Sequence, residues 1–441
     1  MDLATRAIIA LTLVFAPWAF GATERWSIRT LEVLCVASAI FLLFRRTAGQ
    51  SFGLRHGGVV ILGLLVFILI GTQLLNPVQI KIVARRSVYE LIGGSLSLPY
   101  TIHWWATMET GLRWAALLLF GFALLHSVQT RDDVSFILRL LVLNAVLISI
   151  EGILQRLSGV DRLLGFRTPR YGGAIFGPFV CCNNFASYAN LCLPVAMGMA
   201  LLPDILPRRS NPAESTMPER FFWGFCAAIL FAAVVLSASR AGVAVSLLIT
   251  GAAVLDFAFR RRGSSKRLGG GHLTILLLLG AGVILLVGGA THVLWRFEHT
   301  ELAEPARMEA WRAIWAAITQ SPWWGYGLGT FRYLCPFYQA EDNFLFYDYA
   351  HQDWLEALFD FGAVGFGLLT LFVGSVLFHL AKERILKTST FRRSVAGCVL
   401  IALLGCLAHA LVDFPLHIAA IQITFVTIAA VGLSLRFVSE R

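Results

Sequence analysis

Long apolar runs separated by short polar segments dominate the sequence. A helix needs roughly 20 apolar residues to cross the hydrocarbon core of a bilayer. Twelve runs come close to that length: 5–22, 29–45, 57–76, 108–127, 134–155, 180–202, 220–237, 240–259, 272–292, 353–380, 394–412 and 415–435. The pattern therefore predicts an all-α polytopic membrane protein with about 12 transmembrane helices, folded as one transmembrane domain over residues 1–441. We expect the first run to be an uncleaved helix and not a signal peptide, because it is long.

Three of the segments between these runs are long enough to have structure of their own: 77–107, 156–179 and 293–352. The last is rich in Trp, Tyr, Phe and Leu, and such a composition is unlike that of a disordered loop. We therefore predict one long structured loop at residues 293–352.

Inside this loop, Pro305 suits the first turn of a helix. Met308, Trp311, Trp315 and Ile318 then recur at helical spacing. The spacing predicts an amphipathic helix whose apolar face carries these four side chains and lies on the membrane surface.

The distribution of charge predicts the orientation of the chain. Charged residues make up only 14% of the sequence, hydrophobic residues 57%, and the formal net charge is +10. Basic residues cluster in the short loops around 45–55, 208–220, 260–267 and 382–393. By the positive-inside rule these loops and both termini are cytoplasmic, and the long segments lie on the outer side of the membrane. Anionic membrane lipid explains the basic clusters, and no soluble basic domain is present that would bind nucleic acid.

Several kinds of cofactor site find no support. The eight cysteines show no CxxC spacing, so neither a zinc site nor a disulfide framework is indicated. GYGLGTF (325–331) lacks the strand and helix context of a dinucleotide site, and the chain has no P-loop. His409, Asp413 and His417 are spaced like metal ligands on a helix, but Pro415 interrupts that face. We expect a structural polar hinge there, and no cofactor or metal.

Arginine and histidine side chains near the predicted outer side are the candidate chemical groups. Arg240 lies at the end of a span. A charge at this depth marks a functional site, a buried ion pair or an anchor at the membrane interface, and Glu151 is a possible partner for such a pair. Arg307 and Arg312 lie in the long loop, and arginine binds phosphate oxygens in pairs. His351 ends the loop and is either structural or a proton acceptor near neutral pH.

All tryptophans except Trp223 fall on the predicted outer side. An aromatic belt at the interface explains part of this bias. A belt is expected at both interfaces, so some of the clustered indoles are candidates for stacking on sugar rings. These candidates are Trp104, Trp105, Trp311, Trp323 and Trp324.

Taken together, four segments resemble motifs of the O-antigen ligase and O-antigen polymerase superfamily. They are GPFVCCNNFASY (177–188), SASRAG (237–242), ARMEAWRAI (306–314) followed by PWWGYGLGTF (322–331), and AHQDWLEALFDFGAVGF (350–366). The ending HALVDFPLHIAA (409–420) is also similar in type. The chain departs from the family pattern at Cys181 and Cys182, and it has Gln352 and Asp360 where Asn and Glu are common.

The resemblance implies a GT-C-like membrane glycosyltransferase of lipopolysaccharide or polysaccharide biosynthesis. The implied donor is a glycan on undecaprenyl pyrophosphate, and the acceptor is lipid A–core for a ligase or another glycan for a polymerase. The essential residues of the family correspond to Arg240, Arg307 and His351, with Asn184 and Asp353 in supporting positions. The resemblance implies neither a metal nor a nucleotide sugar.

These residues suggest a one-step inverting displacement at the periplasmic face. His351 removes a proton from the acceptor hydroxyl, while Arg240 and Arg307, with Arg312 as a further candidate, hold the leaving pyrophosphate. We expect the lipid tail to lie in a groove near the 180–202 and 240–259 spans. A ligase is favoured slightly over a polymerase. The alternatives are a lipid-linked glycan flippase that forms no bond and a membrane acyltransferase that uses His351.

Overall fold

A computed structural model describes residues 1–47, 54–83, 89–169, 174–205, 217–261, 303–338, 347–386 and 389–439. Its α-helices are α1 Leu3–Trp18, α2 Arg25–Thr47, α3 Gly57–Leu75, α4 Trp104–Ser127, α5 Arg131–Ser158, α6 Cys182–Leu201, α7 Met217–Leu236, α8 Arg240–Arg261, α9 Ala303–Gln320, α10 Phe331–Leu334, α11 Asp353–Leu386, α12 Thr390–His409 and α13 Ala419–Ser434. Strands β1 (Gln79–Ile82) and β2 (Tyr89–Ile92) form an antiparallel hairpin in which Gln79 pairs with Ile92. Short 3-10 turns cover Phe20–Ala22, Pro203–Ile205, Cys335–Phe337, Pro415–His417 and Leu435–Phe437.

Nine helices in the described part of the chain are long and apolar enough to cross a membrane. They are α2 to α5, α7, α8 and α11 to α13. The polytopic all-α architecture predicted from the sequence is therefore confirmed, while the count of 12 stays a prediction. α1 is apolar but has only 16 residues, α6 is not among the nine, and the predicted span 272–292 lies outside the described residues.

Successive spans run in alternate directions, so the bundle has two distinct ends. We call the end that carries the hairpin, α9 and the start of α11 the loop end. The other end holds both termini, where Ser439 donates its N–H to the carbonyl of Gln129 beside the start of α5.

Helix α6 occupies the centre of the bundle. Every residue from Asn184 to Leu201 is buried, and α6 packs against α5, α7, α8 and α12. Neighbouring helices cover α6 on all sides, so α6 itself does not face lipid, and the expected groove near the 180–202 and 240–259 spans stays a prediction. A continuous uncharged stretch in the sequence does not distinguish a lipid-facing helix from a central one.

Apolar cavities lie instead between α3, α4, α11 and α13. One cavity, of about 170 Å³, lies near the loop end and is lined by Trp114, Asp353 and His417 among others. A second, of about 420 Å³, is lined almost entirely by aliphatic and phenylalanine side chains. The two share Leu118 and Phe372, so they form one apolar space that leads away from the loop end.

Helix α9 has the predicted position, and it packs on the protein through small and aliphatic side chains. Ala310, Ala313, Ile314 and Ala317 are buried, whereas Met308 and Trp315 are largely exposed. The small alanine side chains allow α9 to approach α11 closely. Of the four residues predicted to lie on the membrane surface, Ile318 is buried and Trp311 partly buried, and the contact of this stripe with the membrane stays a prediction.

Helix α11 is broken at Gly362, whose φ of 61° and ψ of −173° are not helical. The break frees the carbonyls of Phe359 and Asp360, which accept hydrogen bonds from the N–H groups of Tyr326 and Gly327 (both 3.0 Å). Ala363 donates its N–H to the carbonyl of Pro322 in turn (2.7 Å). The loop 322–327 thus satisfies the backbone groups that a helix end leaves open, and it is fixed against α11.

Candidate active site

His351 lies at the loop end, immediately before α11, in a left-handed backbone conformation (φ 53°). The residue before it is held on both sides: Ala350 donates its N–H to Glu356 Oε2 (2.7 Å), and its carbonyl accepts from Trp311 Nε1 (2.9 Å). After it, Gln352 Oε1 accepts the N–H of Leu355 (2.6 Å) and caps the first turn of α11. Gln352 therefore fulfils the capping role that an asparagine would have, and these contacts fix the direction of the His351 side chain.

The imidazole of His351 faces a buried carboxylate. Its Nδ1 lies 3.6 Å from Asp413 Oδ1; Asp413 is almost fully buried, whereas the His351 side chain is 32% exposed. The ring also packs edge-on against Phe414, with centroids 4.7 Å apart. Asp413 was predicted only as part of a structural hinge, so its position beside His351 is a finding of the structure.

A second histidine lies between two carboxylates under the same surface. His417 Nδ1 is 2.6 Å from Asp353 Oδ1, and His417 Nε2 is 3.0 Å from Glu356 Oε1. Burial alone would lower the pKa of His417, but Glu356 and Asp353 outweigh it and hold that pKa well above its usual value. The resulting charged cluster joins α11 to the turn Pro415–His417, and Asp353 Oδ2 also accepts the N–H of Leu416 (2.8 Å).

The three residues that are spaced like metal ligands on a helix have other partners. His409 Nδ1 shares a hydrogen bond with Ser187 Oγ (2.7 Å), while Asp413 and His417 belong to the contacts above. Within the described ranges, no group of three or more His, Cys, Asp or Glu side chains is arranged to hold a metal ion.

The SASRAG turn places Arg240 at the first position of α8. Ser237 Oγ donates to the carbonyl of Val234, Ala238 has a left-handed φ of 56°, and Ser239 Oγ accepts the N–H of Gly242 (3.1 Å). A Cβ on Gly242 would lie 2.4 Å from that of Ala186, so glycine permits close contact between α8 and α6. The other residues of SASRAG form the turn and its contact with α6. Arg240 is half-buried at the loop end.

Glu151 does not pair with Arg240. Its Oε2 is buried beside Gly177 with no hydrogen-bond partner among the described residues. Asn184 is also buried, in the first turn of α6.

Arg307 and Arg312 both lie on α9. Arg307 is one turn, or about 6 Å along the axis, before Trp311, whose indole holds Ala350. Its side chain lies outside the described residues. Arg312 is exposed.

Arg113 on α4 is a candidate that the sequence analysis missed. Its Nε is buried and has no hydrogen-bond partner in the described part of the chain. Tyr349, two residues before His351, and Glu32 are close enough to interact with it electrostatically. Its neighbours Thr110 and Trp114 line the cavity that contains Asp353 and His417. A charged residue within a predicted span was a sequence signal that could have identified it.

The candidate tryptophans differ in their exposure and in the hydrogen bonds of their indole N–H groups. Trp311 and Trp324 donate their indole N–H to the carbonyls of Ala350 and Ser97, and Trp104 donates to that of Leu74. Trp105 and Trp323 are largely exposed. The five side chains are therefore not gathered in one site.

Much of the candidate site falls within a region of the sequence that matches a known protein family. The family model described as O-antigen ligase matches residues 225–370, a region that contains Arg240, Arg307 and His351. No curated protein matches the chain. The matched domain confirms the resemblance to the O-antigen ligase and O-antigen polymerase superfamily that the motifs indicated.

Proposed function

We propose that this protein transfers a glycan from undecaprenyl pyrophosphate to lipid A–core at the periplasmic face of the inner membrane. The observation that carries the proposal is the fixed His351, whose Nδ1 is directed at buried Asp413 beside the start of α11. With Asp413 on the Nδ1 side of the ring, Nε2 is left for an acceptor hydroxyl.

The reaction is a single displacement with inversion at the anomeric carbon. Asp413 favours the tautomer with a proton on Nδ1, so Nε2 of His351 is the general base. As Nε2 takes the proton from the acceptor hydroxyl, the oxygen forms the new bond to the anomeric carbon. The bond from that carbon to the pyrophosphate oxygen breaks, and undecaprenyl pyrophosphate leaves with the electron pair. The distance of 3.6 Å shortens when the ring becomes positively charged, as is common for catalytic contacts without substrate.

Arginines hold the leaving pyrophosphate. Arg240 and Arg307 are the first candidates for binding the pyrophosphate, and Arg113 is a third. Arg312, which is exposed, contributes from the surface of α9. Each charge-assisted contact is worth roughly 1.5–3 kcal/mol. Two or three such contacts neutralise the developing charge as a divalent cation would.

The undecaprenyl tail lies in the apolar space between α3, α4, α11 and α13. This space begins beside Asp353 and His417 and continues through aliphatic and phenylalanine side chains. It joins the charged site at the loop end to a hydrocarbon environment, as a lipid-linked substrate requires.

The decisive experiment is reconstitution of the purified protein in liposomes with undecaprenyl-pyrophosphate oligosaccharide, with and without lipid A–core. A product that appears only with lipid A–core and is lost in His351→Ala supports the proposal. Trp315→Ala, which removes an exposed side chain from α9, is the matched control and should stay active. A ladder without lipid A–core would identify a polymerase, and movement of intact donor across the bilayer without a new bond would identify a flippase.

A further inference from the structure

A surface cleft at the loop end has the features of a carbohydrate site and lies apart from His351. It has a volume of about 490 Å³ and is formed by β2, the end of α9 and the turn after it. We call it the aromatic cleft; its main lining residues are Tyr89, Tyr100, Gln320, Ser321, Trp323 and Trp324.

The cleft offers flat aromatic surfaces at fixed positions. Trp323 is 66% exposed, although the loop that carries it is bonded to α11 through the carbonyl of Pro322. Trp324 beside it is fixed by its bond to the carbonyl of Ser97 (3.0 Å). A pyranose ring presents C–H groups on its face, and an aromatic ring with an apolar face and a polar edge is a suitable partner.

Polar side chains at the edge of the cleft are fixed by hydrogen bonds to one another. Gln320 Oε1 accepts from the hydroxyl of Tyr338 (2.8 Å), which in turn accepts from the hydroxyl of Tyr89, and the amide nitrogen of Gln320 is left as a donor. The hydroxyl of Tyr100 donates to Ser321 Oγ (2.8 Å). Preplaced donors and acceptors around an aromatic wall match the hydroxyl groups on the rim of a sugar.

The distance along α9 separates the cleft from the reacting sugar. Trp311 contacts Ala350 beside His351, and Gln320 follows nine residues later, about 14 Å along the helix axis. A ring in the cleft therefore cannot be the ring whose anomeric carbon reacts at His351.

We propose that the aromatic cleft binds distal sugar rings of the glycan, several rings from the lipid pyrophosphate, with Trp323 stacking on a ring face. This inference rests on the proposed function, because it assumes that the chain handles a glycan at the loop end. The same chemistry would suit the donor glycan or a glycan acceptor.

Calorimetry with a lipid-free probe tests binding directly. The probe is the oligosaccharide released from the lipid-linked donor by mild acid, titrated into the purified full-length protein. We expect Trp323→Ala to weaken binding about 10-fold or more and Trp323→Phe to retain most of it, since stacking survives. Trp315→Ala is the control, because it removes an exposed indole outside the cleft. Equal weakening by Trp315→Ala, or no binding by the wild type, would overturn the inference.

Kinetics separate this inference from the proposed function. Trp323→Ala should raise KM for a donor with several repeat units about 10-fold and leave kcat unchanged. KM for a donor with a single repeat unit should change much less. A raised KM for lipid A–core or glycan acceptor, with donor KM unchanged, would assign the cleft to the acceptor. Wild-type activity with no difference in Trp323→Ala refutes the cleft, whereas a wild type that forms no glycosidic bond refutes the proposed function.

Discussion

The backbone on both sides determines where the His351 side chain points. Ala350 is bonded through both its N–H and its carbonyl, and Gln352 caps α11. Replacing the imidazole therefore removes the base without moving the loop. We expect His351→Ala to lower kcat about 10²–10⁴-fold with little change in donor KM, measured on reconstituted protein. A large rise in donor KM instead would mean that His351 binds the donor.

Asp413 acts through His351 and does not contact substrate in this scheme. Asp413→Asn keeps the shape but removes the charge that stabilises the imidazolium, so we expect kcat to fall about 10-fold or more. Donor KM should stay unchanged, and Asp413→Glu should recover part of the loss. A fall in the unfolding temperature that accounts for the lost activity would show that Asp413 is only structural.

Arg113 is a cation on α4 whose Nε is buried and has no hydrogen-bond partner among the described residues. If it binds a phosphate oxygen, Arg113→Gln should raise donor KM about 10-fold, the effect of one charge-assisted contact. Arg25→Gln, at an exposed arginine of the same end, is the control and should behave like the wild type. An unchanged KM in Arg113→Gln would remove this residue from the pyrophosphate site.

His417 links stability to pH. Its pKa in the folded protein is well above the usual value of about 6.5, since Glu356 and Asp353 outweigh the effect of burial. A raised pKa stabilises the fold fully below pH 6.5, and this contribution is lost as pH rises through the folded value. His417→Gln should cost roughly 3 kcal/mol near neutral pH, because two buried carboxylates lose their cation. Thermal unfolding in detergent should show the gap to the wild type narrowing at alkaline pH, and a constant gap would contradict this account.

At the scale of elements, the break in α11 holds the site together. Gly362 has a backbone conformation that other residues avoid, and a Cβ there would lie 2.3 Å from the carbonyl of Trp323. We expect Gly362→Ala to destabilise the protein by about 3 kcal/mol or more. Gly367→Ala, at a helical glycine with open space around it, should be neutral or slightly stabilising. Similar unfolding temperatures for the two variants would show that the loop 322–327 does not depend on the break.

The sequence predicted elements better than contacts. Hydrophobic runs indicated the spans, and helical spacing indicated α9, because both depend on local pattern. The face of α9 that packs on the protein was not predicted, since small alanines carry little hydrophobic signal although they allow the closest approach. The break at Gly362 depends on a loop about 35 residues earlier in the chain, so no local pattern could show it.

At the scale of the whole molecule, motifs indicated the candidate residues but not their arrangement. His351 and Arg240 were predicted and lie at one end of the bundle, yet the Asp413 partner and the role of Arg113 required the fold. These contacts join segments more than 60 residues apart in sequence. The central position of α6 likewise follows from its neighbours and not from its composition.

The orientation of the bundle gives the last prediction. Basic clusters lie at the end opposite the loop end, so the positive-inside rule places the loop end in the periplasm. Ser97 is exposed at the loop end and Thr390 at the other. In intact cells, a membrane-impermeant maleimide should label Ser97→Cys and not Thr390→Cys, while both should react after lysis. The native cysteines are buried except for partly buried Cys181, so the unmodified protein is the control for background. Labelling of Thr390→Cys alone would put His351 in the cytoplasm, and transfer to a periplasmic acceptor would then be impossible.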